Sequence, residues 1–413
     1  MTTLATLEGC GLSFAAMGAG AYILGLAIPS TSDIPFLVLL FFAALSLAFE
    51  FRKAPAARPA GLIFVSLFVV SFTLSTTVSV DVTRSLSLSV PLLPAGLVFF
   101  LIAGQFRSLA QVRITLFSFS IVSVVVPVLL ILKVIADPGG NPSAWIGSLG
   151  SPFFVVPNDL LFLSITAPVS MVLFRAEKNL FVRATAISAI VLSILAISLY
   201  QSRTGILTML ISMAVCAWLL RPRLALLGAG AIILLGLLAD GLLGFPLLAK
   251  FGSIAGHRFA LWLAAWNIFL DAPLLGHGPH SFGLLVNSYV YDVQLPDRGV
   301  LKNLVEPWHP GMHSPWAHNL YLETLASQGI LGLIALLALL AGALNLGWKM
   351  RRSTDETARF YGIAILSGLV GFCVAGVYEL SFIRIWVPVV LFSYVALLAC
   401  LYRFHVKMSK GQN

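Results

Sequence analysis

The stretch HSPWAHNLYLETLASQGILGLI, His313 to Ile334, opens on polar and aromatic residues and ends as an uninterrupted apolar run. That change of solvent within a few helical turns is what a chain does on entering a lipid bilayer. The rest of the sequence agrees. Hydrophobic residues make up 59% of the 413 positions and charged residues only 10%, against roughly 25% charged in an ordinary soluble domain. Apolar runs of about 17–22 residues recur along the chain, each enough to cross a hydrocarbon core of about 30 Å. The composition predicts an all-α polytopic membrane protein.

Twelve spans are predicted, at about 9–28, 34–50, 60–77, 87–104, 114–134, 158–175, 184–201, 204–220, 224–243, 327–348, 361–380 and 384–402. The first lacks the basic n-region of a cleaved signal and is read as a retained helix. The organisation is then residues 1–243 with nine spans, a large loop over 244–326, and residues 327–413 with three spans and a tail. The four cysteines lie in or beside apolar runs, so neither a disulfide nor a thiolate metal site is expected.

The net charge of +9 invites a nucleic-acid reading until its placement is considered. Most Lys and Arg residues fall in alternate loops: Arg52, Lys53 and Arg58; Arg107 and Arg113; Arg175, Lys178 and Arg183; Arg221 and Arg223; Lys349 to Arg359; and the tail. The positive-inside rule puts these loops and both termini in the cytoplasm. The charge is topological and lipid-directed, not a nucleic-acid patch. Every predicted cytoplasmic loop is too short for a nucleotide-binding fold, and no GxxxxGK[ST] occurs.

The opposite side carries the polar chemistry. Six of the seven histidines and four of the eight tryptophans lie in residues 244–326. A helix is expected at about 257–270, ended by Asp271-Ala272-Pro273, followed by a turn-rich loop, GHGPHSFG, at 276–283. The segment 295–311 is Pro-punctuated and irregular. Ser314-Pro315 reads as N-cap and first residue of the next helix, with His318 one turn in. Gly329 and Gly332 mark a break or a close packing contact.

Four constellations stand out. Arg203, in SLYQSRTGIL (198–207), sits in a tight polar turn and offers a planar fork to phosphate or carboxylate; the alternative is an interfacial residue that snorkels. Arg258, in a helix's first turn, opposes the macrodipole unless an anion meets both; the alternative is a surface arginine of an interfacial helix. His318, beside Asn319, is the side-chain type suited to take a proton from a hydroxyl near neutral pH; the alternative is a satisfied interfacial histidine. Glu379 and Arg384 flank a short outer loop, either as functional groups or as an ion pair tying the hairpin. The histidine spacings are broken by Pro279, Pro310 and Pro315 and lack HExxH, so no zinc site is expected. Asp81 is a lone, weak candidate for metal binding.

Three segments in order, SLYQSRTGIL, HRFALWLAAWNIFLDAPLLGHGPHSF and HNLYLETLASQGILGLI, together resemble the O-antigen ligase and polymerase superfamily of bacterial inner membranes. The resemblance covers about residues 198–348 by motif and the whole chain by topology. It implies a GT-C-like membrane fold and a glycosyltransferase that uses a polyprenyl-diphosphate-linked glycan, such as O-antigen on undecaprenyl diphosphate, at the periplasmic face. It implies that Arg203 and Arg258 engage the diphosphate, that His318 is the base and that Asn319 stands beside it, with no cofactor. Glu379 is the candidate functional acid, with Arg384 beside it; His280 stands where the family has a small residue. Trp316, Tyr321 and Trp308 are placed to stack on sugar rings, although interfacial anchoring explains aromatic residues as well. The expected reaction transfers O-antigen to a sugar hydroxyl of lipid A-core. The alternatives are polymerisation of lipid-linked repeats, transfer to a protein, or, in another class, secondary transport, which predicts two matching halves that the sequence lacks.

Overall fold

The computed structural model describes residues 13–27, 33–50, 60–90, 92–137, 139, 157–200, 202–223, 258–290 and 314–409. Fourteen α-helices occur among them, with no strand. They are α1 (Phe14–Gly25), α2 (Asp33–Phe49), α3 (Leu62–Thr77), α4 (Val82–Ser89), α5 (Leu92–Gln105), α6 (Leu109–Ala136) and α7 (Leu161–Ala176). After these come α8 (Leu180–Leu199), α9 (Arg203–Leu220), α10 (Arg258–Asp271), α11 (Phe282–Val290), α12 (Leu320–Met350), α13 (Glu356–Tyr378) and α14 (Trp386–Ser409). A 3₁₀ turn, Pro157–Leu160, leads into α7.

Eleven of the expected spans coincide with helices, from α1 to α3, α5 to α9 and α12 to α14. The ninth, 224–243, lies outside the described residues, as do the irregular segment 295–311 and His257, His309 and His313. Among the described residues, six helices (α6, α8, α9, α12, α13 and α14) are long and apolar enough to cross a membrane, and the bent pair α4–α5 makes up to seven. The protein is a multi-pass membrane protein.

Burial separates hub from rim. The apolar window of α14 is 83% buried and that of α13 is 72%, against 28% for α8 and α9. α14 packs on α5 and α12, while α13 packs on α7, α9 and α12. Leu180, Phe181, Leu195 and Trp218 of α8 and α9 point outward, where lipid stands in for a protein neighbour. A second, smaller core joins α10 and α11 to the start of α12 through Leu261, Ala264, Ile268, Phe282, Val286, Ala317 and Ala326.

The sequence reading needs one correction. Residues 314–318 form a bent, non-helical strap, and α12 begins at Leu320 with Asn319 as its cap. Ser314-Pro315 therefore does not start the helix. Residues 284–290, to which the sequence assigned no element, form α11 together with the last two residues of the turn-rich loop 276–283. Asp81 is the N-cap of α4, its carboxylate accepting from the Arg84 amide at 2.9 Å.

The predicted break at Gly329 has a physical account. Its backbone (φ 66, ψ −167) interrupts α12 and releases helix hydrogen-bonding groups. The loop after α10 receives them: Ile330 N–H donates to Pro273 O at 2.8 Å and Leu331 N–H to Leu274 O at 3.3 Å. Ser75 of α3 donates to the Ser327 carbonyl at 3.0 Å. Polar backbone within an apolar protein thus stays paired. A Cβ on Gly329 would lie 2.3 Å from the Leu274 carbonyl oxygen. Gly329→Ala is expected to cost at least about 2 kcal/mol, from strain at positive φ plus the displaced loop. A thermal melt in detergent checks this, and an unchanged Tm would show that the loop is not held there.

Candidate functional site

Glu379 is the C-cap residue of α13 and is fully buried. Three elements send a positive or proton-bearing side chain to it. Arg258, first residue of α10, places Nη2 2.6 Å from Oε2. His318, at the end of the strap, places Nδ1 2.8 Å from Oε1. Arg384, from the α13–α14 hairpin, places Nη2 3.0 Å from Oε1. Residues 60 to 126 positions apart in the chain therefore meet at one carboxylate. Burial raises the Glu379 pKa, and the His318 hydrogen bond with the His318, Arg384 and Arg258 charges outweighs it, leaving the group below its ordinary value. Glu379 is thus the anionic centre of the cluster.

The chain has to bend to deliver His318. Ala317 is fully buried in the small core, Asn319 caps α12, and His318 between them adopts φ 52. Left-handed backbone at a non-glycine residue costs on the order of 1–3 kcal/mol and persists only where the surroundings impose it. Here they do, because the strap must turn from the core into the helix axis.

The carboxylate also decides the imidazole's form. A carboxylate only accepts, so Nδ1 carries a proton and neutral His318 presents an Nε2 lone pair. Trp316 Nε1 lies 3.3 Å from the same Nδ1. Nδ1 cannot donate to Glu379 and accept from Trp316 at once, and the shorter, charge-assisted bond to Glu379 prevails. The Trp316 ring instead lies under Arg384, with the guanidinium carbon 4.6 Å from the ring centre.

Arg384 has a second acid that sequence reading missed. Asp159, buried in the 3₁₀ turn before α7, stands 3.5 Å from Arg384 Nε and accepts from Trp386 Nε1 at 2.9 Å. A lone acid opening an apolar run was the available signal. Two arginines and two carboxylates are then balanced around the imidazole, and Glu379 is positioned to stabilise an imidazolium.

The other expected site residues fall in several places. Arg203 is the first residue of α9, exposed, with Ser202 Oγ capping the helix by accepting from Gly205 N–H at 3.2 Å. α9 packs on the turn that carries Asp159, so Arg203 sits at the same end of the bundle as the Glu379 cluster. Asn319 spends its side-chain oxygen on the Tyr321 and Leu322 amides, both at 3.0 Å. Tyr321 donates to the Cys373 carbonyl at 2.9 Å, a packing bond between α12 and α13. Trp308 lies outside the described residues. No convergent group of three or more His, Cys, Asp or Glu side chains occurs among the described residues.

His280 is 5% exposed and adopts φ 61, with its ring edge-on to Phe72. Burial, and then the Arg84 charge, lower its pKa from 6.5 to about 4. The unfolded chain takes up this proton near pH 6.5 and the folded protein only near pH 4. The group's stability contribution is full above the unfolded value and lost as pH falls through the folded one, at most roughly 3 kcal/mol. His280→Asn, whose side chain tolerates positive φ, is expected to flatten the acid limb of a curve of Tm against pH. An unchanged limb would refute the assignment.

At the opposite end, Arg113 lies 3.5 Å from Glu177, which accepts from Tyr361. The loops around Arg113 and Arg175, both predicted cytoplasmic, thus belong to the end away from the Glu379 cluster.

A helical membrane protein with a buried carboxylate–histidine–arginine cluster at one end of its bundle is the class that fold and site define. Residues 188–337 match the family model Wzy_C, described as O-Antigen ligase. This match, over about a third of the chain, makes that part of the protein similar to the O-antigen ligase family. No curated protein matches the chain.

Proposed function

We propose that this protein is an O-antigen ligase: a metal-independent, inverting glycosyltransferase that moves O-antigen from undecaprenyl diphosphate to a sugar hydroxyl of lipid A-core. The carrying observation is the His318 Nδ1–Glu379 Oε1 bond of 2.8 Å, which leaves Nε2 as the basic nitrogen. A base oriented by a buried acid is the arrangement of nucleophile activation on many folds. In this reading the acceptor hydroxyl oxygen attacks the anomeric carbon from the face opposite the diphosphate. Its proton passes to His318 Nε2 as the new C–O bond forms. The anomeric C–O bond breaks, and undecaprenyl diphosphate leaves with the electron pair, giving inversion.

The leaving group gathers negative charge, and Arg203 and Arg258 are assigned to meet it. One Arg258 nitrogen is committed to Glu379, and the guanidinium has further N–H donors to offer. Trp316 and Tyr321 are assigned to the sugar-binding side, and Arg384 to holding Glu379 in place. In this reading the protein lies in the bacterial inner membrane with twelve spans, a GT-C-like arrangement, the 244–326 loop in the periplasm and both termini in the cytoplasm.

The test is reconstitution in liposomes with lipid-linked O-antigen, lipid A-core and a chelator. Ligated product is expected with chelator present. Arg203→Ala and Arg258→Ala are each expected to lower kcat by about 10²–10³-fold, the scale of losing one transition-state donor. Loss of product on chelation would overturn the arginine assignment. Chain growth without core acceptor would favour the polymerase, and glycan on an added pilin would favour the protein-directed enzyme.

A further inference from the structure

Behind the start of α12 lies a small polar cavity lined by His280, Glu323, Thr324, Ser327, Gln328, Leu320 and Phe382. Three parts of the protein meet there. His280 comes from the loop between α10 and α11, and Phe382 from the hairpin that carries Arg384; the others share one face of α12. The polar lining residues are at least nine-tenths buried, and Thr324 spends its hydroxyl on the Leu320 carbonyl at 2.7 Å.

Four of the lining residues carry a buried atom with no hydrogen-bond partner among the described residues: His280 Nε2, Glu323 Oε2, Ser327 Oγ and Gln328 Oε1. Four such atoms around one space are costly unless something joins them. The space for a water centre is about 10 Å³, about one probe sphere. Chemistry matches size. One water has the two donors and two acceptors that these four atoms require, with Glu323 and Gln328 as acceptors and Ser327 and His280 as donors. A metal cation fits less well, because the Arg384 charge acts on Glu323 and the Arg84 charge on His280.

The remaining Glu323 oxygen accepts from Ser381 Oγ at 2.6 Å. Ser381 lies two residues from Glu379, and its carbonyl accepts from the Arg384 amide at 3.3 Å. The cavity is therefore linked to the hairpin that holds the Glu379 cluster.

We propose that this cavity is a buried single-water site that joins the His280 loop and the start of α12 to the Glu379–Arg384 hairpin, and so positions Glu379 under His318. The water site stands without any assumption about activity; its positioning role rests on the transfer reading above. Glu323, Ser327, Gln328 and His280 are positioning residues in this account.

The test has two arms on the full chain. The first is a structure in lipid nanodiscs at a resolution that shows ordered water, in buffer whose only cation is N-methylglucamine. A density peak is expected within hydrogen-bond distance of Glu323 Oε2 and at least two of the other three atoms. No peak, with the four side chains paired to one another, overturns the site; so does a peak that needs sodium or potassium. The second arm measures Gln328→Met and Glu323→Gln per folded molecule. Gln328→Met keeps the shape and loses the acceptor, and kcat is expected to fall about tenfold or more at unchanged KM, as for a slightly misplaced group. Glu323→Gln puts an amide N–H donor where either Ser381 or the water donates, and kcat is expected to fall about tenfold or more on the same scale. A wild-type kcat in Gln328→Met refutes the positioning role and leaves the water to the first arm. If wild-type protein makes no product, the transfer reading fails, not the water site.

Discussion

Glu379→Gln is expected to abolish most transfer activity and to destabilise the protein. The carboxylate is fully buried and contacts Arg258, His318 and Arg384 at 2.6 to 3.0 Å. Removing its charge leaves Arg384, 5% exposed, with Asp159 alone as counter-ion at 3.5 Å. Breaking a buried ion pair by removing one partner costs about 3–5 kcal/mol, most of it from the charge left behind. The chemical loss has a separate cause. An amide at this position can donate to His318 and so favour the tautomer whose Nε2 carries the proton, and such an orienting acid is worth about 10⁴-fold where it has been removed elsewhere. The two effects separate experimentally: Tm reports the first, and kcat per folded molecule the second. A variant with wild-type kcat would show that Glu379 only ties the hairpin.

His318→Ala is expected to lower kcat by about 10²–10⁴-fold, the range for loss of a positioned general base, with little loss of stability. The stability expectation follows from the strap. His318 is partly exposed and pays for a backbone at φ 52, whereas Ala317 and Asn319 on either side supply the packing and the cap. His318→Gly removes that strain and is expected to match or exceed wild-type Tm while remaining inactive. Full activity in His318→Ala would sink the base assignment. A Tm collapse in His318→Gly would mean that the imidazole holds the fold together through Glu379.

The comparison of sequence with structure turns on length scale. Helices α5 to α9 and α12 to α14 were legible because a run of apolar residues long enough to span lipid has few other fates. α4 and α11 were not, because eight or nine residues are too short a window for a helical period to stand out in the sequence. Asn319 was read as a site residue beside the base, and the structure employs it as a cap. The local error was the helix start, read five residues early at Ser314. The Glu379–Arg384 pairing was one of two readings of VYELSFIR, and the ion pair is present. Its convergence with Arg258 and His318 was not readable, since nothing local in any of the three segments refers to the others.

Sequence alone determined that this chain is a helical membrane protein, that polar chemistry gathers in the late loop and beside Arg203, and that His318, Arg258 and Glu379 were each worth watching. Those are properties of composition and local pattern, written residue by residue. Only the tertiary structure decided that the three meet, that Asp159 joins them through Arg384, and that His318 presents Nε2. These depend on the Gly329 break, where the loop after α10 docks on freed backbone groups, and on a strap held at Ala317. Hydrogen bonds between segments tens of residues apart set them, and such bonds leave no periodic mark in a sequence.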